Sequence, residues 1–174
     1  MAIKKPLVLD ANGDIEQLQS GDTITAGILL NDFYGNVAQS SGTTIIPYGN
    51  SAPLVTAGTQ LWSQVVTPTV IGSIIEIDFS TMIDTSAINL AVSLVIFRNS
   101  TPIAFCSASS SAYNGNLPNA VPVKVNDVTT SLTPITYSCR VGISATGTWY
   151  VGRGNAGTMG GTNNSGWNIR EMSI

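Results

Sequence analysis

An all-β sandwich is the fold this chain predicts, and three observations carry it. From Gly58 onward, short runs of β-branched and aromatic residues recur with partial two-residue alternation. Turn-forming pieces such as Asn99-Ser100-Thr101-Pro102 and Asn114-Gly115-Asn116 separate them. No long segment carries helical periodicity. In order, the expected strands cover residues 60–67, 73–80, 87–98, 103–107, 121–125, 135–143, 147–151 and 167–172. So many short strands without helices between them match an antiparallel β-sandwich or jelly roll rather than an α/β fold.

The part before Gly58 reads differently. Its two lysines stand against five acids, so it carries the whole net charge of -3 while the rest balances. Pro6-Leu7-Val8-Leu9 and Ile15-Glu16-Gln17-Leu18 flank Asp10-Ala11-Asn12-Gly13-Asp14, where Asn-Gly supplies the positive φ angles of a tight turn; a small hairpin is expected there. An isolated hairpin is marginal in water. Leu7, Val8, Leu9, Ile15, Leu18 and Ile24 are too dispersed to build a core and are the candidate anchoring residues, expected to bury against another protein. Residues 35–53, rich in Gly, Ser, Asn and Pro, read as an extended linker or wrapping strand. The expected organisation is therefore an extended N-terminal arm over 1–57, containing the hairpin, and a sandwich over 58–174.

Composition narrows the function. Only 10% of residues are charged, against about 25% in typical soluble domains. Between Asp32 and Glu76 there is no charged side chain at all, which fits a surface lying against another protein. With no basic cluster beyond Lys4-Lys5, the phosphate-neutralising charge that nucleic-acid binding needs is missing. Asp10 interrupts the opening apolar run before a signal-peptide core is complete, and no apolar run reaches the length of a membrane-spanning helix; neither secretion nor a membrane is expected. Cys106 and Cys139, both in strand-like contexts, are expected to be reduced thiols acting as small hydrophobes.

Catalytic patterns are equally sparse. The chain has no histidine, which removes Ser-His-Asp and Cys-His machinery and the usual imidazole metal ligands. Glu76 and Asp78, two apart, share a strand face as a glycosidase pair might, yet no second acidic cluster accompanies them, and a solvated sheet face is the expectation. Asp10, Asn12 and Asp14 imitate the start of a calcium loop without its closing bidentate glutamate. Gly154, Gly157, Gly160 and Gly161 lack the strand–loop–helix setting and the lysine of a phosphate loop. Asn99-Ser100-Thr101 and Asn163-Asn164-Ser165 match the glycosylation pattern but read as turns. Trp62, Trp149, Trp167, Tyr113 and Tyr150 are expected in the core or an interface, with sugar stacking the alternative. No enzyme activity, cofactor or metal is expected.

A resemblance joins these pieces. The opening Pro6-Leu7-Val8-Leu9-Asp10-Ala11-Asn12-Gly13-Asp14-Ile15-Glu16-Gln17-Leu18-Gln19-Ser20-Gly21-Asp22-Thr23-Ile24 is similar to N-terminal segments of phage fibres and other particle proteins. Gly58-Thr59-Gln60-Leu61-Trp62-Ser63-Gln64, the hairpin from Leu94 to Ala104, Ile135-Thr136-Tyr137-Ser138-Cys139-Arg140-Val141-Gly142 and Ile169-Arg170-Glu171-Met172 resemble the motif order of phage virion proteins with a tumour-necrosis-factor-like jelly roll. Asn99-Ser100 departs from the glycine-containing turn expected after Arg98. The resemblance implies a virion structural protein that forms a homotrimer and contacts the major capsid protein or other virion proteins. The leading expectation is a capsid decoration or cement protein anchored by its N-terminal arm. The alternative is a short tail fibre or receptor-binding tip that recognises a host surface glycan.

Overall fold

A computed structural model of the chain describes residues 7–9, 15–17, 27–47, 49, 51–109, 118–154 and 165–174. No helix occurs among the described residues. The strands are β1 (Leu7–Leu9), β2 (Ile15–Gln17), β3 (Leu29–Val37), β4 (Ser40–Gly42), β5 (Thr59–Val66), β6 (Ile74–Thr85), β7 (Ala91–Arg98), β8 (Thr101–Ser109), β9 (Asn119–Val128), β10 (Ile135–Ile143), β11 (Trp149–Val151) and β12 (Ser165–Met172).

β1 and β2 pair antiparallel with Val8 opposite Glu16, the hairpin expected from Asn-Gly; the turn residues lie outside the described residues. The remaining strands form two antiparallel sheets. One has the order β5-β10-β7-β8, the other β3-β12-β6 with β9 on the far edge of β6. β6 is long enough to take partners end to end along one edge: β12 pairs with it from Ile74 to Ser80 and β11 from Ile83 to Thr85. β4 then pairs with β11. The four-stranded sheet β5-β10-β7-β8 and the β3-β12-β6-β9 rows of the six-stranded one have the strand order of a jelly roll.

The period-two pattern places the core between the sheets. Ile75, Ile77, Phe79, Val121, Val123 and Ile169 of one sheet meet Trp62, Val66, Leu94, Ile96, Tyr137 and Val141 of the other. Trp62 stacks on Trp167 at 5.2 Å between ring centroids and meets Phe79 edge-on at 6.1 Å. The Trp167 indole needs the space above Gly35, where a Cβ would sit 2.6 Å from the ring. Trp149, buried, lies over Gly42 in the same way and donates Nε1–H to Thr44 Oγ1 at 3.1 Å.

A second, smaller cluster lies on the outward face of the four-stranded sheet. Val95 and Phe97 alternate with the inward Leu94 and Ile96, yet both are fully buried, because Ile46, Val55 and Ala57 of the β4–β5 connection cover them. This strap is fastened at both ends. Ile46 N–H donates to the Ile143 carbonyl and Ile143 N–H to that of Thr44, at 3.0 and 2.9 Å. Arg140 donates from Nε and a terminal nitrogen to the carbonyls of Ala57 and Gly58, at 2.7 and 2.9 Å. Of residues 35–53, expected to be a linker or wrapping strand, 35–37 belong to β3 and 40–42 to β4, and only the part from Thr44 onward runs across the outer face as a strap.

The composition boundary at residue 57 is not a structural boundary. β3, β4 and Ile46 lie before it, and β3 pairs with β12 over nearly its whole length, from Val37 opposite Ser165 to Leu29 opposite Met172. The backbone tie reaches back to Gly27, whose N–H donates to the Ser173 carbonyl at 3.0 Å. The sandwich therefore includes residues from Gly27 onward. Sequence pattern missed β3 because its inward positions include Gly35 and its outward ones Asp32 and Asn36, residues depleted in strands. The other expected strands are present, with β6 extended to Thr85 by its pairing with β9 and β11 and β7 shortened to start at Ala91. The Asn99 departure is accommodated locally: Asn99 adopts φ +54°, which Asn tolerates, and its Oδ1 accepts from Thr136 N–H at 2.9 Å.

Two outcomes follow from this packing. Gly35→Ala drives a methyl into the Trp167 ring and is expected to cost about 1–3 kcal/mol, read from the urea midpoint. A fragment of residues 27–174 is expected to unfold in one cooperative transition, whereas 58–174, stripped of β3 and Ile46, is expected to show none by circular dichroism.

Candidate functional site

The outward face of the sheet containing β6 carries the charged residues in register. Glu76 and Asp78 do share this face, as their spacing requires, between Arg170 on β12 and Lys124 on β9. Lys124 Nζ lies 2.9 Å from Asp78, and one Arg170 guanidinium nitrogen lies 3.1 Å from Asp78 and 3.4 Å from Glu76. Each carboxylate is thus engaged by a cation in a ladder that ties three neighbouring strands. Exposed pairs of this kind contribute about 0–1 kcal/mol each. Beside the ladder a shallow trough of about 420 Å³ runs over Gly166, walled by Tyr34, Asn36, Asp78, Pro122, Lys124 and Asn168. Tyr34 is 81% exposed.

At one end of the sandwich Glu171, fully buried, accepts five hydrogen bonds: from Asn31 Nδ2 at 2.6 Å, Thr69 N–H at 2.7 Å, Thr69 Oγ1 at 3.0 Å, Val70 N–H at 3.2 Å and Ser73 Oγ at 2.7 Å. Burial alone would raise its carboxyl, but the bonds from Ser73, Thr69 and Asn31 outweigh it and hold the group below its ordinary value of 4.5. The network joins β3, β12 and the β5–β6 connection. A second polar bridge crosses between the sheets, where Tyr137 O–H donates to Asp127 at 2.6 Å and Arg98 Nε lies 2.9 Å from the same oxygen. Burial, reinforced by Asp127, pushes the Tyr137 phenol above its usual range.

The remaining sequence candidates are placed as follows. Cys106 and Cys139 are both free, and burial pushes the Cys139 thiol well up, away from the thiolate that a nucleophile needs. Trp62 and Trp149 are core residues, Trp167 packs against that core, and Tyr150 lies under the Arg153 guanidinium at 5.2 Å. Tyr113, most of the glycine-rich segment and the calcium-like loop lie outside the described residues. Of the anchoring candidates, Leu7, Val8 and Leu9 form β1 and Ile15 opens β2, while Leu18 and Ile24 lie outside the described residues. Among the described residues no cluster of three or more metal-ligating side chains occurs. Among the described residues no helix is long and apolar enough to cross a membrane.

What pattern reading did not single out is the neutral face built by the strap. Within the charge-free stretch, Ile45, Leu54, Val65, Val70 and Ile71 are exposed, Leu54 at 72%. Alongside the strap a groove of about 570 Å³, part polar and part apolar, is lined by Pro47, Gly49, Ser51, Ala52 and Pro53 and by Pro102, Ile103, Ala104 and Phe105, the last half-exposed on edge strand β8. The absence of charge between Asp32 and Glu76 was the available signal; that its residues 47–53 lie beside β8 required the fold.

No protein-family model matches the chain, and no curated protein matches it. Solved structures similar to it include one of infectious bursal disease virus Gt strain, 13% identical, covering 97% of this chain and 42% of that one at a TM-score of 0.45. Another is the VP2 subviral particle of infectious bursal disease virus, 16% identical over 95% of this chain and 41% of that one, TM-score 0.43. A third, T=1 particles derived from infectious bursal virus, is 14% identical over 97% and 40%, TM-score 0.38. The chain spans about two fifths of the length of these viral chains.

The Glu171 network sets a pH dependence. Its folded pKa lies below the unfolded one, so its stabilisation is complete above pH 4.5 and is lost as pH falls through the lower folded value. Glu171→Gln is expected to remove that acid dependence from the urea midpoint and to lower stability at neutral pH by about 1–3 kcal/mol for each donor left without an acceptor.

Proposed function

We propose that this chain is a structural protein of a tailed-phage virion, a capsid decoration or cement protein that anchors through its N-terminal segment and stabilises the head as a homotrimer. The observation that carries this reading is exposed apolar surface without charge: in the stretch between Asp32 and Glu76, Ile45 and Leu54 of the strap, Val65 of β5, and Val70 and Ile71 of the β5–β6 connection stand out to solvent, surface suited to protein contact. The resemblance of the opening segment to particle proteins supports the anchor. Leu7, Val8 and Leu9 on β1, with Ile15, Leu18 and Ile24, supply apolar side chains for burial against the major capsid protein or another virion protein, and strand addition would satisfy the backbone. Each large side chain fully buried there contributes about 1.5–3 kcal/mol.

One observation favours a second reading, a receptor-binding tip that takes a host glycan. Tyr34 offers an exposed ring beside the trough, and Asn168 Oδ1, on its floor, is buried without a hydrogen-bond partner among the described residues. A pyranose could stack on the ring and donate a hydroxyl to that amide.

Particles lacking this protein discriminate the readings. Full-length chain is expected to bind them in many copies over the head, and residues 27–174 to remain folded but bind at least tenfold more weakly, a loss of about 1.4 kcal/mol or more. Undiminished binding by 27–174 would move the anchor into the sandwich. Binding of a few copies at the tail vertex, with adsorption to host cells lost in Tyr34→Ala, would replace cement by receptor recognition.

A further inference from the structure

The outward face of the β6 sheet changes character at one end. Asp32, Arg170, Glu76 and Asn126 lie opposite one another across β3, β12, β6 and β9, a charged and polar row open to water. The next outward row is Leu29, Met172, Ile74 and Val128, apolar on all four strands and about 14 Å across at the ordinary strand spacing. Leu29 and Val128, at its two edges, are half-exposed. The connections that close this end add to the patch. Val70, Ile71 and Gly72 make a tight turn, with Gly72 at φ +90°, and its tip carries Ile71 out at 62% exposure. The turn is rigid: Ser73 N–H donates to the Val70 carbonyl at 3.3 Å, Gly72 N–H to that of Thr129 at 2.9 Å, and Val70 N–H to Glu171 at 3.2 Å. An apolar patch rimmed by a charged row marks a contact surface, and a rigid one loses little ordering entropy when it is covered.

The course of the chain says what covers it. Gly27 N–H donates to the Ser173 carbonyl at 3.0 Å and Ser173 N–H to the Ile28 carbonyl at 2.9 Å, so residues 1–26 join the sandwich beside Leu29 and the exposed Ile174. The segment proposed as the anchor therefore begins at the edge of the patch. A partner that holds this segment keeps the patch beside itself at high effective concentration, so the two surfaces act as linked contacts. Charge does not oppose the approach, since Glu171 is buried among its five donors and Asp127 is paired with Arg98.

We infer that this end of the sandwich is a second docking surface for the same virion protein that takes the N-terminal segment, with Leu29, Ile71 and Val128 buried against an apolar, uncharged surface of that partner. The partner is that of the virion reading, on which this assignment rests.

The test titrates full-length chain onto particles lacking this protein, with Ile71→Asp, Ile71→Lys and, at the opposite end between β6 and β7, Ile88→Asp. Ile71 is exposed, so the urea midpoint and sedimentation of its variants are expected to match the parent. Both Ile71 variants are expected to bind at least about tenfold more weakly, whichever the sign of the new charge, and Ile88→Asp to bind as the parent does. Parent-like binding by both Ile71 variants overturns the inference and leaves the virion reading standing, whereas a full-length parent that does not bind particles overturns both. Weakening by one charge sign alone would make the contact electrostatic and overturn the apolar assignment. A lowered urea midpoint in Ile71→Asp would place a segment of the same chain over the patch, and dissociation of an oligomer by that variant would place a second copy there; either result removes the virion partner from this surface.

Discussion

Pairing along both edges of β6 is the constraint on which the rest of the molecule depends. One edge is committed to β9 for ten consecutive residue pairs, and the other is divided between β12 and β11. Division of that edge opens the sheet into two arms, one continuing through β12 to β3 and the other through β11 to β4. The second arm delivers the chain to the top of the strap, since β4 ends at Gly42 and the bonds to Ile143 begin at Thr44. Without the extra length of β6 beyond Ser80 there would be no β11 pairing, and the strap would lose its fixed point of departure.

Charge is scarce in this chain and is used for fastening. Glu171 gathers donors from the β5–β6 connection and from β3. Arg140 performs the converse task, gathering two carbonyls of the strap. A carboxylate satisfies orphan N–H groups and a guanidinium satisfies orphan C=O groups, and each closes a connection that would otherwise carry unpaired backbone polar atoms into a half-buried setting. The ion ladder of Glu76, Asp78, Lys124 and Arg170 occupies the opposite sheet, which leaves the strap face to neutral side chains.

Much of the sandwich is legible in the sequence because its central strands are amphipathic. β10 was readable to the residue, since Ile135, Tyr137, Cys139, Val141 and Ile143 alternate inward along it. β3 was not, because an edge strand with Gly35 on its inner face gains its stability from a tryptophan far away in sequence, and local pattern holds no trace of that partner. Glu171 was invisible for a related reason: its five donors come from β3 and from the β5–β6 connection, both far from it in sequence. The carboxylate pair Glu76 and Asp78 was correctly placed on one face by spacing alone, but the cations that engage it emerge only from the register of β9 and β12. Cys139, read from the sequence as a small hydrophobe, is a free thiol fully buried in the core.

The position of β12 has a consequence for biosynthesis. The last strand of the chain lies between β3 and β6, so the first strand of the sandwich has no hydrogen-bonded neighbour until residues 165–172 arrive. During translation β3 and one edge of β6 leave the ribosome as unsatisfied edges, and pairing across so great a sequence separation is slow. The β3 side of the sheet therefore closes only once residues 165–172 have been made, so any contact built on β3 has to wait for β12.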